Sequence, residues 1–408
     1  MNWNSWLSET AQAAQASDIR ELLKLTARPD MISFAGGLPD PTLFSVAEFK
    51  AAMGRVMDKY GPKALQYSTT EGLSELRETL VAQLVQEGIA CPQGTDNLIL
   101  TTGSQQALDL LARLFITPGD TILVEAPSYL GALQAFALCQ PRYEAIEMDE
   151  HGLRLEVLEA KLAQLKQEGR RPKFLYTVPT FQNPTGVTLT LERRQALVEL
   201  AEREDFLIIE DDPYGRLRFR GEHLPSLKSF DQSGRVITLR TFSKTLAPGL
   251  RTGYIIGAPE FLQRVVILKQ AADLCSPALN QYLALELLQC GAMERYVQEV
   301  VKVYGHKEAI MQATLKAGLG HTPVSWTEPD GGMFFWVQLP DGMDSQQLLN
   351  QAIAAGVAFV KGSAFFTDTL NGRNCLRLNF SGPSSAQIET GLTRLTSLIE
   401  ANLKVAVS

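Results

Sequence analysis

Residues 173–186 read Lys-Phe-Leu-Tyr-Thr-Val-Pro-Thr-Phe-Gln-Asn-Pro-Thr-Gly. Lys173 to Val178 is a short apolar run without alternation, which suits a strand covered on both faces. Asn183-Pro-Thr-Gly186 is a turn, and a helix is expected from Leu191 to Glu204. The same strand–turn–helix unit recurs on either side. Upstream, Asn97–Thr102 ends at Gly103, and Leu108, Leu111, Ala112 and Phe115 then fall at helical spacing. Thr121–Glu125 is followed by a turn at Pro127 and a helix over Leu130–Leu138. Downstream, Phe206–Glu210 and Arg235–Arg240 are further strands. Strands alternating with helices predict an α/β fold with a mostly parallel sheet and right-handed crossovers. The ends of the chain read differently. Ser17 is a plausible N-cap, with Asp18 and Glu21 in the first turn and Ile19, Leu22 and Leu23 as an apolar stripe; Arg20 lies off that stripe. Gly36–Pro39 then breaks the chain. Past about residue 295 a long helix, Met293 to Leu319, leads to strands at Gly331–Gln338, Val357–Lys361 and Cys375–Phe380, the texture of a smaller α+β domain.

Composition narrows the function class. The chain has 408 residues, with 38 Lys+Arg against 45 Asp+Glu, a net charge of -7. With 45% hydrophobic and 20% charged residues it is ordinary globular usage, which rules out disorder, collagen and coiled coil as whole-chain readings. The acidic balance argues against a nucleic-acid partner, which would need a basic face. Cys91, Cys139, Cys275, Cys290 and Cys375 are scattered and never spaced C-x-x-C, so neither a zinc site nor a disulfide framework is expected, and no metal. No apolar run approaches the roughly 20 residues that span a bilayer. The first 19 residues carry no Lys or Arg, so the charged start of a signal peptide is missing. A soluble cytoplasmic protein without a membrane partner is expected.

Ligands of open parallel sheets bind outside the carboxyl ends of the strands. Gly103-Ser104-Gln105 opens a helix there, a place where free backbone N–H groups hold an anion such as phosphate, although a simple helix cap would read the same. Tyr129 could stack on a planar ring or fill the core. Asn183 is either a turn residue or a donor to a ring oxygen or a carboxylate. Asp211 ends a buried strand, where a carboxylate is costly without a donor; Asp212 reads as a surface turn residue, and Tyr214 follows. Thr241-Phe-Ser243-Lys244-Thr245, with Arg251 seven residues after the lysine, is either a solvated loop or an amine able to form a Schiff base beside an anion site. Taken together these residues meet the needs of pyridoxal 5'-phosphate: a lysine, an anion at the pyridinium nitrogen, donors to the ring oxygen, a stacking face and a phosphate cradle.

The motifs TTGSQQALDL (101–110), EAPSYLGAL (125–133), PTFQNPTG (179–186), EDDPYG (210–215), TFSKTLAPGLRTGY (241–254) and CLRLNF (375–380) resemble those of the fold-type I, class I/II aminotransferases. ASDIRELLKLTARPDMISFAGGLPDP (16–41) and LQYSTTEG (65–72) resemble the 2-aminoadipate / kynurenine aminotransferase branch. The resemblance implies a mostly parallel seven-stranded sheet sandwiched by helices in residues 46–295. It also implies a smaller α+β domain made of an N-terminal helix and arm (1–45) and the C-terminal part (296–408). Lys244 would be the Schiff-base lysine and proton shuttle, and Asp211 the partner of the pyridinium nitrogen. Asn183 and Tyr214 would bond the ring oxygen, and Tyr129 would stack on the ring. Gly103, Ser104, Gln105, Thr241, Ser243 and Arg251 would hold the phosphate; relatives often have Ser where Thr241 stands, and the hydroxyl is kept. Tyr67 would reach the phosphate in the neighbouring subunit of a homodimer. Arg377, with Asn183 and the backbone near Gly37, would clamp the substrate α-carboxylate, and Arg20 would meet its distal end. The activity implied is transfer of an amino group between an L-amino acid (2-aminoadipate, glutamate, aromatic or branched-chain) and 2-oxoglutarate or a related 2-oxo acid. A β-lyase or cyclising synthase would use the same cofactor. A regulator domain behind a winged helix is disfavoured, since only about 16 residues precede the first matched motif.

Overall fold

The computed structural model describes residues 1–13, 30–368 and 370–406. In chain order its strands are β1 (Ile32–Ser33), β2 (Leu98–Thr101), β3 (Thr121–Ala126), β4 (Arg142–Asp149), β5 (Gly152–Leu153), β6 (Pro172–Thr177) and β7 (Leu207–Asp211). There follow β8 (Val236–Thr241), β9 (Gly253–Ile256), β10 (Ser325–Trp326), β11 (Phe334–Gln338), β12 (Val357–Ala358), β13 (Val360–Lys361) and β14 (Cys375–Asn379). The large sheet has the order β2-β9-β8-β7-β6-β3-β4-β5. The four pairings among β4, β3, β6, β7 and β8 are parallel, and β9 runs antiparallel to both its neighbours. The seven expected strands are therefore present, and the two-residue β5 adds an eighth at the edge by turning back on β4.

Two of these strands escaped the reading of the sequence. β4 carries Arg142, Glu144 and Glu147 because it lies near the sheet edge and is half-exposed, so it lacks the apolar run of its neighbours. β9 follows the Lys244–Arg251 loop with only a three-residue 3-10 turn (Pro248–Leu250) and no α-helix between, as an antiparallel strand allows. Conversely, β7 and β8 extend one residue further than expected. Asp211 and Thr241 are thus the last rungs of the ladder, paired with Leu239 and Gly253, and not residues of the following loops.

From β3 the chain moves outward to β4, whereas β6, β7 and β8 build in the other direction. The strand order reverses between β3 and β6, which is where an open α/β sheet has its crevice. The face-covering helices bring apolar stripes to the sheet. Ser104–Phe115 buries Ala107, Leu108, Leu111 and Ala112, and Leu191–Arg203 buries Leu197, Val198 and Ala201. Arg194 on the latter helix is fully buried, yet its guanidinium donates to the carbonyls of Pro179, Leu189 and Pro225 and to Thr180 Oγ1 at 2.8–2.9 Å. It thereby holds the turn that carries Asn183.

The C-terminal strands form a second sheet, β10-β11-β14-β13. The run Val357–Lys361 splits at the buried Phe359: β13 joins this sheet, whereas β12 pairs in parallel with β1. Residues near the start of the chain are so tied to its C-terminal part. A buried ion pair completes the tie, because Lys307 Nζ on the long helix Ala292–Leu319 donates to Asp40 Oδ2 at 2.6 Å and to the Ser381 carbonyl at 2.8 Å. The helix expected at Ser17, with Arg20, lies outside the described residues. No helix among the described residues is long and apolar enough to cross a membrane.

Candidate active site

The residues singled out follow the carboxyl ends of β2, β3, β6, β7 and β8, which all point to one edge of the large sheet. Asp211 closes β7 with 2% of its surface exposed. Its Oδ2 accepts the Tyr176 hydroxyl at 2.8 Å, and its Oδ1 is buried without a partner among the described residues. Burial pushes this carboxyl up to about 7. A buried acceptor atom left open is costly, and it calls for a donor such as a ring N–H.

Tyr214, three residues on, is buried edge-on against Phe334 with ring centroids 5.9 Å apart. Its hydroxyl accepts Asn183 Nδ2 at 3.3 Å. Asn183 Oδ1 in turn accepts Arg377 Nη1 at 2.8 Å, and Arg377 Nη2 donates to the Ala35 carbonyl at 2.7 Å. Arg377 stands in the middle of β14, opposite Trp336 on one side and Val360 on the other. It is 2% exposed, lies over the rings of Phe334 and Phe365 at 4.3 and 5.0 Å, and keeps a buried Nε without a partner among the described residues. Its hydrogen-bond acceptors are both neutral, and burial brings its guanidinium down to about 10. A buried cation so arranged has no carboxylate partner among the described residues, and a planar carboxylate matches its fork.

Lys244 Nζ donates to the Gly37 carbonyl at 2.7 Å. Burial, followed by the positive charges of Arg377 and Arg251, lowers the amine to about 8. The Arg377 and Lys244 charges thus face one space, with Gly37 on its rim, where a Cβ would come within 3.3 Å of Phe334.

At the other end of the site Gly103 takes φ +75° and opens the helix Ser104–Phe115 without a side-chain cap. A Cβ there would lie 2.6 Å from Arg251 Nη2, so only glycine lets the guanidinium lie against the helix start. Arg251 is itself held at φ 46°, ψ 47°, with Nη1 donating to Ser243 Oγ at 3.4 Å. Thr241 and Ser243 hydroxyls are 2.9 Å apart. Free helix N–H groups, two hydroxyls and a guanidinium make a cradle for a tetrahedral anion. Ser104 is the first residue of that helix, whereas Gln105 is exposed and donates to the Gly131 carbonyl at 2.8 Å, toward the Tyr129 loop. Tyr129 is half-buried just before the helix Leu130–Ala137; a Cβ on Gly131 would strike its ring at 2.5 Å. Tyr67 stands apart, 77% exposed.

Three contributors were not foreseen. Tyr176 lies inside the expected strand Lys173–Val178 and Phe334 inside the expected strand Gly331–Gln338, with nothing to set either apart from its neighbours. Glu125 ends β3 as a buried carboxyl, bonded by Thr177 Oγ1 at 2.5 Å, Gln182 Nε2 at 3.1 Å and the Val178 N–H at 3.2 Å, and burial pushes it up to about 7. Glu125 shares with Asp211 the signature of a carboxylate at the end of a covered strand, and that signature is legible in the sequence.

The family model described as aminotransferase class I and II matches residues 31–395. The chain belongs to this family. It is similar to aromatic-amino-acid aminotransferase 1 of Thermococcus litoralis, 43% identical over 99% of this chain and 96% of that protein. It is equally similar to the 2-aminoadipate transaminase of Thermus thermophilus, 43% identical over 97% and 96%. The crystal structure of the Pyrococcus horikoshii kynurenine aminotransferase in complex with PMP superposes with a TM-score of 0.95, at 44% identity and 98% coverage of both chains. The protein is thus an aminotransferase, and its cofactor is pyridoxal 5'-phosphate. The open Oδ1 of Asp211, the Cβ-free cradle at Gly103 and the lowered Lys244 amine all fit that group in this aminotransferase.

Proposed function

We propose that this aminotransferase moves the amino group of an L-amino acid (2-aminoadipate, glutamate, aromatic or branched-chain) to 2-oxoglutarate or a related 2-oxo acid, and that it works as a cytoplasmic homodimer. The carrying observation is Arg377, a buried cation with only neutral acceptors, in the space that Lys244 faces. Amino acids and 2-oxo acids share a carboxylate beside the reacting carbon, and this guanidinium would hold it in both.

Bound pyridoxal 5'-phosphate supplies the carbonyl that takes up the amino group and a ring that draws electrons from the substrate α-carbon. Asp211 would hold the proton on the ring nitrogen. Asn183 and Tyr214 would donate to the ring oxygen, and Tyr129 would cover the ring face. Gly103, Ser104, Gln105, Thr241, Ser243 and Arg251 would hold the phosphate, joined by Tyr67 of the partner subunit; its exposure in one protomer is consistent with reaching a neighbour. Lys244 Nζ would take the proton from the substrate α-carbon and return it to the cofactor's exocyclic carbon, one base serving both transfers. Arg20 would meet the distal end of the substrate. Residues 46–295 would form the large cofactor-binding domain and 1–45 with 296–408 the small one, a division that the β1–β12 pairing favours.

The test is a two-step optical assay. An amino acid should bleach the visible band of the holoenzyme, and 2-oxoglutarate should restore it; a lyase would keep its band and release ammonia. A donor panel on wild type and Arg20→Ala then reports the preferred substrate, with a selective loss on dicarboxylic donors as the expected outcome.

Two expected results follow from the site. Arg377→Lys replaces a two-point carboxylate contact with a point charge, and KM should rise about 10- to 100-fold for every amino acid with a smaller change in kcat. An equal loss for amino-acid esters would contradict the assignment. Recombination of the apoenzyme with the cofactor requires neutral Lys244 Nζ. Its rate should therefore rise with pH through a midpoint of about 8, not the ordinary 10.5. Stopped-flow absorbance across that range checks it.

A further inference from the structure

Tyr176 sits on β6, fully buried, with its ring edge-on to Phe136 at 5.4 Å. In the parallel pairing of β6 with β7 it lies opposite Ile209, two residues before Asp211 and on the same face, and it leans along the strand to reach that carboxylate. Its hydroxyl hydrogen is engaged by Asp211 Oδ2, while Oδ1 is left without a partner among the described residues. The two oxygens of the carboxylate are therefore not equivalent. One is spent inside the sheet, and the other is presented.

We infer that Tyr176 is a positioning residue for Asp211: it fixes the carboxylate so that Oδ1 alone faces the cofactor ring nitrogen, and its hydrogen bond keeps that carboxylate a weaker base than the ring, so that the shared proton stays on nitrogen. This deepens the proposed function and rests on its reading of Asp211 as the partner of the ring nitrogen. A donor to the charged form of a carboxylate lowers its proton affinity. The opposing influences are burial and the neighbouring carboxylates of Asp212 and Glu125, each of which favours the protonated acid. With Tyr176 in place the ionised form is supported; without it, nothing in the described shell donates to Asp211. The proton would then move from the ring nitrogen to the acid, and the ring would lose its pull on electrons while the binding of its phosphate stayed intact.

The experiment loads wild type, Tyr176→Phe and Asp211→Ala with cofactor labelled with 15N in the ring and records the nitrogen resonance of each holoenzyme. In wild type the resonance should lie in the protonated range. In Tyr176→Phe it should move toward that of neutral pyridine, with kcat reduced about 10-fold and cofactor affinity changed less than threefold. A purely structural tyrosine would lower the melting temperature and leave the resonance in place, and that result overturns the inference. If Asp211→Ala leaves the resonance unmoved, the reading of Asp211 fails; if it moves the resonance and Tyr176→Phe does not, only the role of Tyr176 fails. A second measurement needs no cofactor. In the apoenzyme the Asp211 carboxyl, followed by its 13C shift, should titrate higher in Tyr176→Phe than in wild type, and an unchanged midpoint counts against the proposal.

Discussion

Lys244→Ala is expected to lower kcat by at least ~10⁴-fold, the upper range for a single general base, because in the proposed mechanism the same amine would also join the cofactor. The environment of the amine sets this lysine apart from the other lysines held inside the fold. Lys269 and Lys307 are more deeply buried than Lys244, but each is paired with a carboxylate, Lys269 Nζ with Asp273 at 2.8 Å and Lys307 Nζ with Asp40 at 2.6 Å. Lys244 Nζ instead has a neutral carbonyl as its hydrogen-bond partner, and two guanidinium charges push against its proton. The variant should retain the fold, since it leaves only the Gly37 carbonyl without its donor. Single-turnover absorbance should show the amino-acid half-reaction stalled, and added methylamine should partly restore it. Borohydride treatment of the wild-type holoenzyme followed by peptide mass spectrometry should place the cofactor on Lys244; a label on any other lysine would refute the mechanism.

Asp211→Asn should reduce kcat by roughly 10³-fold, the scale of losing one preorganised electrostatic contact to the transition state. The amide keeps the size of the acid and can still accept the Tyr176 hydroxyl, but it carries no charge to hold the proton on the ring nitrogen. The stability of the apoenzyme should move the other way. The folded-state carboxyl titrates at about 7 against an ordinary 3.8, so folding is favoured while it is protonated and that advantage is lost as pH rises between those values. The asparagine escapes the loss. Apo Asp211→Asn should therefore match wild type near pH 4 and melt higher at pH 8, whereas the two would stay parallel if Asp211 carried no burial penalty. Thermal melts of both apo proteins across this range give the answer.

Asp211 serves the site at a cost to the fold, because it is a carboxyl buried at the end of a covered strand. The strand ends announced themselves in the sequence, because buried parallel strands are continuous apolar runs and whatever polar residue ends such a run stands out. Asp211, Asn183, Lys244 and Gly103 were all found by that contrast. Glu125 met the same criterion and was passed over, while Tyr176 could not be found that way, since a tyrosine inside an apolar strand looks like core until a carboxylate is seen beside it. β4 was hidden by its charged residues, and the division of Val357–Lys361 between two sheets depends on partners more than 300 residues away at Ile32–Ser33 and on β14.

By itself the sequence determined the alternation of strands and helices, the parallel sheet and the chemistry on offer at its rim, because these depend on periodicity and on residue types a few positions apart. Only the tertiary structure decided how those groups act on one another. Arg377 meets Asn183 across 194 positions, Lys244 meets Gly37 across 207, and Tyr176 meets Asp211 across 35. The proton affinities of Lys244 and Asp211 follow first from the exclusion of water around them, then from Arg377 and Arg251 acting on the amine and from Tyr176, Asp212 and Glu125 acting on the carboxyl. Desolvation and charge–charge energies depend on distances through space, and no local pattern along a chain encodes them.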